Sequence, residues 1–276
     1  MTNPVIGILG FSGFIGKTLL NDFLQDHEVI CIDYKNPIIS DLKKVNVIIN
    51  LTGYSINNPW SKRNKNLFWE SRIGVINKFY SLIEKHSITN IEYWINASAI
   101  GIYSSFTNED EYNYIRSSSY LCNLVESWEF AALKFEEKGI SVSLLRFGIV
   151  LGFKGFLEKY LQFKKLSCIL VPGKSQTRFS FISVLEIPLI IRFILSRKLT
   201  GPFNICLPES YSYKNINSIL RKSNFFLICT IPSLLVKMVF KEQASLFLEN
   251  SVAFPKRLLD NGYLFRYNDI NTLLTI

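Results

Sequence analysis

The chain has 276 residues, 48% of them hydrophobic and 14% aromatic, which is enough apolar mass to bury a large core and excludes a disordered chain. Its formal net charge of +9 comes without an aromatic-interleaved basic groove or a recognition helix, so no nucleic-acid partner is expected. The longest apolar run, Phe225 to Phe240, is 16 residues long and carries Pro232 and Lys237, too short and broken for a membrane span.

Met1-Thr2-Asn3-Pro4 leads directly into a strand and shows no targeting stretch, so a cytoplasmic protein is expected. Five scattered cysteines (31, 122, 168, 206 and 229) read as reduced, mostly core residues. Val5, Ile6, Ile8 and Leu9 predict an interior parallel strand. It breaks into Gly10-x-x-Gly13-x-x-Gly16. Gly10 permits a tight turn, Gly13 lets backbone amides approach a phosphate, and Gly16 lets the next helix pack closely on its strand. Gly10, Phe11, Ser12, Gly13, Phe14, Ile15 and Gly16 are therefore the expected wall for a dinucleotide pyrophosphate. The spacing differs from G-x-G-x-x-G, and the position directly after the first strand gives the triplet its weight.

A helix over 16–26 and a strand over 28–32 follow, ending at Asp33, about 20 residues after the glycines. An acid there accepts from both adenosine ribose hydroxyls and repels a 2′-phosphate, which favours NAD. Lys35 keeps NADP open, and Asp33 also suits the simpler task of opening the turn Asp33-Tyr34-Lys35-Asn36-Pro37.

Strands are expected at 45–50, 91–96, 140–147 and 203–207, with helices over about 61–85 and 119–138. Leu67, Phe68, Ile73, Ile76 and Phe79 supply the apolar face of the first of these helices. The alternation predicts an α/β fold: a Rossmann-like, doubly wound parallel sheet with a smaller C-terminal substrate or cap domain. The expected division is a dinucleotide-binding domain over 1–153, a substrate-side flap over 154–178, a return to the sheet over 179–210 and a cap over 211–276. Ligands on such a sheet lie beyond the carboxyl ends of the strands. Leu51, Thr52, Gly53, Ala97 and Ser98 fall there.

Residues 151–200 hold nine Lys/Arg against Glu158 and Glu186. This bias predicts an anionic or phosphate-bearing small-molecule substrate between the Ser98/Tyr120 edge and 154–178. Arg72 and Arg146 are candidate ligand contacts, each equally suited to pairing with a structural acid such as Glu70 or Glu129. Trp60, Trp69, Trp94 and Trp128 read as packing residues, and no histidine or cysteine spacing suggests a metal. A homodimer stays open.

Several stretches carry a resemblance: Asn50-Leu51-Thr52-Gly53, Glu70-Ser71-Arg72, the run Ala97–Tyr103, Trp128-Glu129, Leu144–Gly152, Gly201-Pro202-Phe203-Asn204 and Pro255–Tyr267. Together with the glycines they resemble the extended short-chain dehydrogenase/reductase superfamily, more narrowly its branch of epimerase family proteins, over almost the whole chain. The resemblance implies a Ser98/Tyr120 catalytic pair and an NAD(P)-dependent oxidoreductase or epimerase acting on a small polar, nucleotide-linked or anionic substrate. The superfamily places a lysine four residues after the tyrosine to lower its pKa, and a phenol with an unperturbed pKa near 10 is a poor base without one. Here position 124 is Leu124, so Tyr120 is expected to bind more than to shuttle protons. A dinucleotide-binding regulatory or scaffolding protein with little catalysis is the alternative. Where the branch reads S-W-I-H-x-x-D, this chain has Ser180-Phe181-Ile182-Ser183-Val184-Leu185-Glu186.

Overall fold

The computed structural model describes residues 3–104, 109–152, 160–161, 168–223 and 227–275. All four side chains of β1 (Ile6–Leu9) are buried, as an apolar run flanked on both sides requires. It pairs in parallel with β2 (Val29–Ile32) and β3 (Val47–Asn50), and β3 pairs in parallel with β4 (Tyr93–Ala99). With β5 (Ser141–Phe147) and β9 (Gly201–Ile205) these form a six-stranded sheet in the order β2-β1-β3-β4-β5-β9. This is the Rossmann-like sheet that the alternation predicts, crossing over at β1 between its two halves.

The chain divides into two compact units. The first comprises residues 1–102, 118–146 and 187–203. Its helix α1 (Phe14–Phe23) starts two residues earlier than expected, directly after Gly13. A short α2 (Ile39–Leu42) precedes β3. The long helix expected over 61–85 is three pieces: α3 (Lys62–Trp69), capped by Ser61 Oγ on the Asn64 amide, a π-helical turn over Glu70–Gly74, and α4 (Val75–Lys85). Phe68 and Ile73, five residues apart, are both buried. An α-helix would turn them to different sides, and the wider π turn restores them to one face. Helix α5 (Tyr120–Leu133), capped by Ser119, tightens into a 3₁₀ turn over Lys134–Lys138 that stops at Gly139. Trp94, 0% exposed, stacks on Phe135 with ring centroids 4.1 Å apart. Helix α6 (Glu186–Ser196) returns the chain to β9, and its Arg192 grips Asp22 and Asp26 at 2.7 Å each.

The second unit comprises residues 103–117, 147–186 and 204–276. It contains β6 (Ile149–Leu151), β7 (Cys168–Pro172), β8 (Arg178–Ser183), β10 (Ser210–Ser212) and β11 (Leu227–Ile231). A three-stranded sheet runs β10-β8-β6, and β7 pairs in parallel with β11. Of the flap expected at 154–178, residues 154–159 and 162–167 lie outside the described residues, while Cys168–Pro172 forms a paired strand. Two buried carboxylates hold this unit together. Glu186 accepts from the Tyr263 hydroxyl and from the amides of Arg266 and Tyr267, and Glu111 accepts from the amides of Asn204 and Arg257.

Among the described residues no helix is long and apolar enough to cross a membrane. The tightest packing in the first unit is at Gly16, where an added Cβ would stand 2.2 Å from the Gly10 carbonyl oxygen and 2.7 Å from the Phe11 Cα. Both are backbone atoms, so the turn has to shift to admit it. Gly16→Ala is expected to cost about 1–3 kcal/mol of stability in urea unfolding, whereas Gly13→Ala, with a single approach at 3.2 Å to the same oxygen, costs less.

Candidate functional site

Gly10 takes a left-handed φ of 78°, which bends the chain off the end of β1 and brings it against the end of β3. A Cβ at Gly10 would lie 2.9 Å from the Leu51 carbonyl, so the glycine turn and Leu51-Thr52-Gly53 meet backbone to backbone. The Gly13 amide donates to the Gly10 carbonyl at 3.0 Å and closes the turn. Gly13 then caps α1 without any side-chain acceptor, and no acid occupies the first turn. Amides at the positive end of a helix, uncapped and unopposed by a carboxylate, suit an anion. Phe11, Phe14 and Ile15 are half-buried around the turn, and Ser12 and Gly13 are exposed.

Leu9 and Ile32 are partners in the β1–β2 register, so Asp33 emerges at the same end of the sheet as Gly10. It is exposed, and its Oδ1 accepts from the Lys35 amide at 2.9 Å. Lys78 reaches the same loop and donates to the carbonyls of Tyr34 and Lys35. Asp33 thus opens the turn and still presents carboxylate to solvent.

The ends of β3 and β4 are joined by a buried amide pair. Asn50 Nδ2 donates to Asn96 Oδ1 at 2.8 Å, and Asn50 Oδ1 accepts from both the amide and the hydroxyl of Thr52. Asn96 Nδ2 donates to the Ala97 carbonyl at 2.7 Å. Every polar group in this set has a partner, which fixes the strand ends rigidly. The network holds Thr52 and Ala97 behind the surface that Leu51 and Gly53 present.

Beyond Ala97, Ser98 is 3% exposed and donates its hydroxyl to Glu129 Oε1 at 2.6 Å. Arg146 grips the same carboxylate through Nε and Nη2, both at 2.8 Å. Ser98 has a single proton and Glu129 holds it, so Ser98 can accept a hydrogen bond but cannot donate one while that contact stands. Arg146 is committed to Glu129, one of the two acids considered for it.

Tyr120 opens α5, half-buried, with its hydroxyl 3.4 Å from the Lys65 carbonyl and its ring 5.3 Å from that of Trp60. Lys65 Nζ stands over the Tyr120 ring, 4.3 Å from its centroid. Leu124, one turn along, is buried. Arg72, on the π turn, is 9% exposed, with its guanidinium against Gly53 and over the Trp128 ring. The structure therefore brings Gly10, Leu51, Gly53, Arg72 and Tyr120 into one chain of neighbours, with Ser98 and Arg146 tied to Glu129. The sequence reading did not single out Lys65, and 55 residues separate it from Tyr120, so only the folded chain brings the two together. Among the described residues no three His, Cys, Asp or Glu side chains gather as metal ligands.

Glu129 and Arg146 are 6% and 3% exposed, so removing the acid alone leaves a buried guanidinium without a counter-charge. Glu129→Ala is expected to lower the unfolding free energy by about 3–5 kcal/mol, measured by urea denaturation followed by fluorescence.

Residues 231–275 match a family described as a domain of unknown function, DUF1731. The chain is 25% identical to the epimerase family protein SAR0825 of Staphylococcus aureus, over 97% of this chain and 96% of that one. Its fold superposes on human epimerase family protein SDR39U1, solved with NADPH, with a TM-score of 0.84 at 22% identity, covering 98% of this chain and 97% of that one. It also superposes on the UDP-glucuronic acid 4-epimerase of Bacillus cereus, solved with UDP-glucuronic acid and NAD, with a TM-score of 0.78 at 14% identity over 98% and 96% of the two chains. The chain therefore has the extended short-chain dehydrogenase/reductase fold in the form shared with epimerase family proteins.

Proposed function

We propose that the chain binds a nicotinamide dinucleotide across Gly10–Gly16 and acts as an NAD(P)-dependent oxidoreductase or epimerase-like enzyme on a small polar, nucleotide-linked or anionic substrate. The observation that carries this reading is the uncapped first turn of α1, set behind a turn without side chains at Gly10, Gly13 and Gly16. Relatives of the same fold support it, since the human protein was solved with NADPH and the Bacillus cereus epimerase with NAD.

Bound there, the dinucleotide supplies a hydride acceptor and donor. Gly13 and the first turn of α1 hold its pyrophosphate through backbone amides. Asp33 would take the adenosine ribose and favour NAD, whereas Lys35 on the same loop and Lys78, reaching it from α4, would favour the 2′-phosphate of NADP. Tyr120, with Leu124 in place of the usual lysine, holds the substrate oxygen more than it shuttles protons, and Ser98 accepts from a substrate hydroxyl while Glu129 keeps its proton in place. A second reading, dinucleotide binding for a regulatory or scaffolding purpose, is favoured by the buried Leu124 in the place of the usual lysine.

Two measurements test these assignments. Calorimetric titration with all four cofactor forms is expected to give submillimolar binding with NAD(H) ahead of NADP(H), abolished by Gly13→Val at unchanged circular dichroism. Tighter NADP(H) would remove the role given to Asp33, and no binding of any form would sink the reading. With a substrate that turns over, Tyr120→Phe should reduce kcat by less than the roughly 10²–10⁴-fold typical of losing a general acid–base group. A complete absence of turnover with intact dinucleotide binding favours the regulatory reading.

A further inference from the structure

The arginines of the first unit that make side-chain hydrogen bonds differ in one respect. Arg146 has the Glu129 carboxylate at 2.8 Å, and Arg192 has Asp22 and Asp26 at 2.7 Å. Arg72, at 9% exposed, has no carboxylate among the described residues. Its Nη1 donates to the carbonyls of Tyr54 at 3.0 Å and Phe68 at 3.3 Å, and to Ser71 Oγ at 3.4 Å, all of them neutral. Nε and Nη2 make no hydrogen bond among the described residues. Glu70, the acid nearest in sequence, has its Oε2 turned to Gly74, 2.6 Å from where a Cβ there would stand.

A guanidinium keeps its charge under ordinary conditions, and burying it against neutral acceptors alone is costly. Desolvation pushes the Arg72 pKa down to about 10, and the nearby Tyr120 acts in the opposite sense. Among the described residues no carboxylate pairs with Arg72. Arg72 Cζ lies 5.0 Å from the Trp128 ring, and the Trp128 indole N–H is itself buried with no acceptor among the described residues. Lys65 adds a second cation over the Tyr120 ring. Gly53, exposed at the carboxyl end of β3, leaves room beside the guanidinium, since a Cβ there would sit 3.1 Å from Nη2.

We propose that Arg72, with Lys65 over the Tyr120 ring, binds an oxyanion of the ligand, a phosphate or a carboxylate, at the carboxyl end of β3 next to Tyr120. The two unbonded faces of the guanidinium, Nε and Nη2, offer the geometry for a bidentate contact with such a group. The source of the oxyanion is either the dinucleotide's pyrophosphate or an acidic group on the substrate. The choice of organic probes rests on the function proposed above; the charge argument does not.

The test is calorimetric titration of the full chain and its Arg72→Gln, Arg72→Lys and Lys65→Met variants with inorganic pyrophosphate, NAD⁺, UDP and UDP-glucuronic acid. Arg72→Gln is expected to weaken at least one anionic probe tenfold or more, with Arg72→Lys recovering part of the loss and Lys65→Met losing severalfold. A loss shared by pyrophosphate and NAD⁺ assigns the oxyanion to the dinucleotide. A loss confined to UDP-glucuronic acid, with UDP unchanged, assigns it to the substrate carboxylate. Wild-type affinity of Arg72→Gln for every probe overturns the proposal. If that variant does not fold, Gly53→Val covers Nη2 from an exposed backbone position, and unchanged binding in it is equally decisive. Binding of pyrophosphate or UDP-glucuronic acid that depends on Arg72, with no NAD(P) binding at all, overturns the dinucleotide reading and leaves Arg72's role standing.

Discussion

The first unit depends on backbone meeting backbone at the carboxyl end of the sheet. Gly10 touches the Leu51 carbonyl and Gly16 packs on the Gly10 oxygen, so β1, the start of α1 and the end of β3 share one contact with no side chain in it. The glycine turn and Leu51-Thr52-Gly53 are placed by that contact. The Asn50–Asn96 bond then carries the same rigidity across to β4. A surface built from amides and glycines holds its shape without rotamer freedom to lose, which suits recognition of a phosphate by its oxygens.

Buried charge is managed in contrasting ways. Glu129 and Arg146 neutralise each other and take in the Ser98 hydroxyl, leaving a closed group. Glu111 and Glu186 are each satisfied chiefly by backbone amides from distant segments, so they act as ties between stretches of chain. For Glu111 the burial still raises the carboxyl above its usual range, against those same amides. Arg72 belongs to neither arrangement, and this contrast gives it its meaning.

How much was legible in the sequence follows from the range of the forces involved. The strands and the glycine turn were readable because apolar runs and a positive φ act over a few neighbouring residues. The π turn was not, since Leu67, Phe68, Ile73, Ile76 and Phe79 read together as one broad apolar face; the exposure of Leu67 and the burial of both Phe68 and Ile73 appear only once the helix is packed. Glu129 was recognisable as an acid that an arginine would want, but two arginines and two acids were on offer, and the choice is made by β5 lying beside β4 beneath α5. The loss of the lysine after Tyr120 was plain from position 124. The arrival of Lys65 over the Tyr120 ring was not, because 55 residues separate the two.

Glu186 has a consequence for the order in which the chain can be completed. Its partners, Tyr263, Arg266 and Tyr267, lie 77 to 81 residues further on. Until that segment has been synthesised, a carboxylate that ends 0% exposed has none of its tyrosine and amide donors and stays in water. The second unit therefore closes through contacts of high sequence separation, which are slow to find. A chain not yet extended past Tyr267 keeps this part of the core open, and the same acid that secures the finished fold delays its completion.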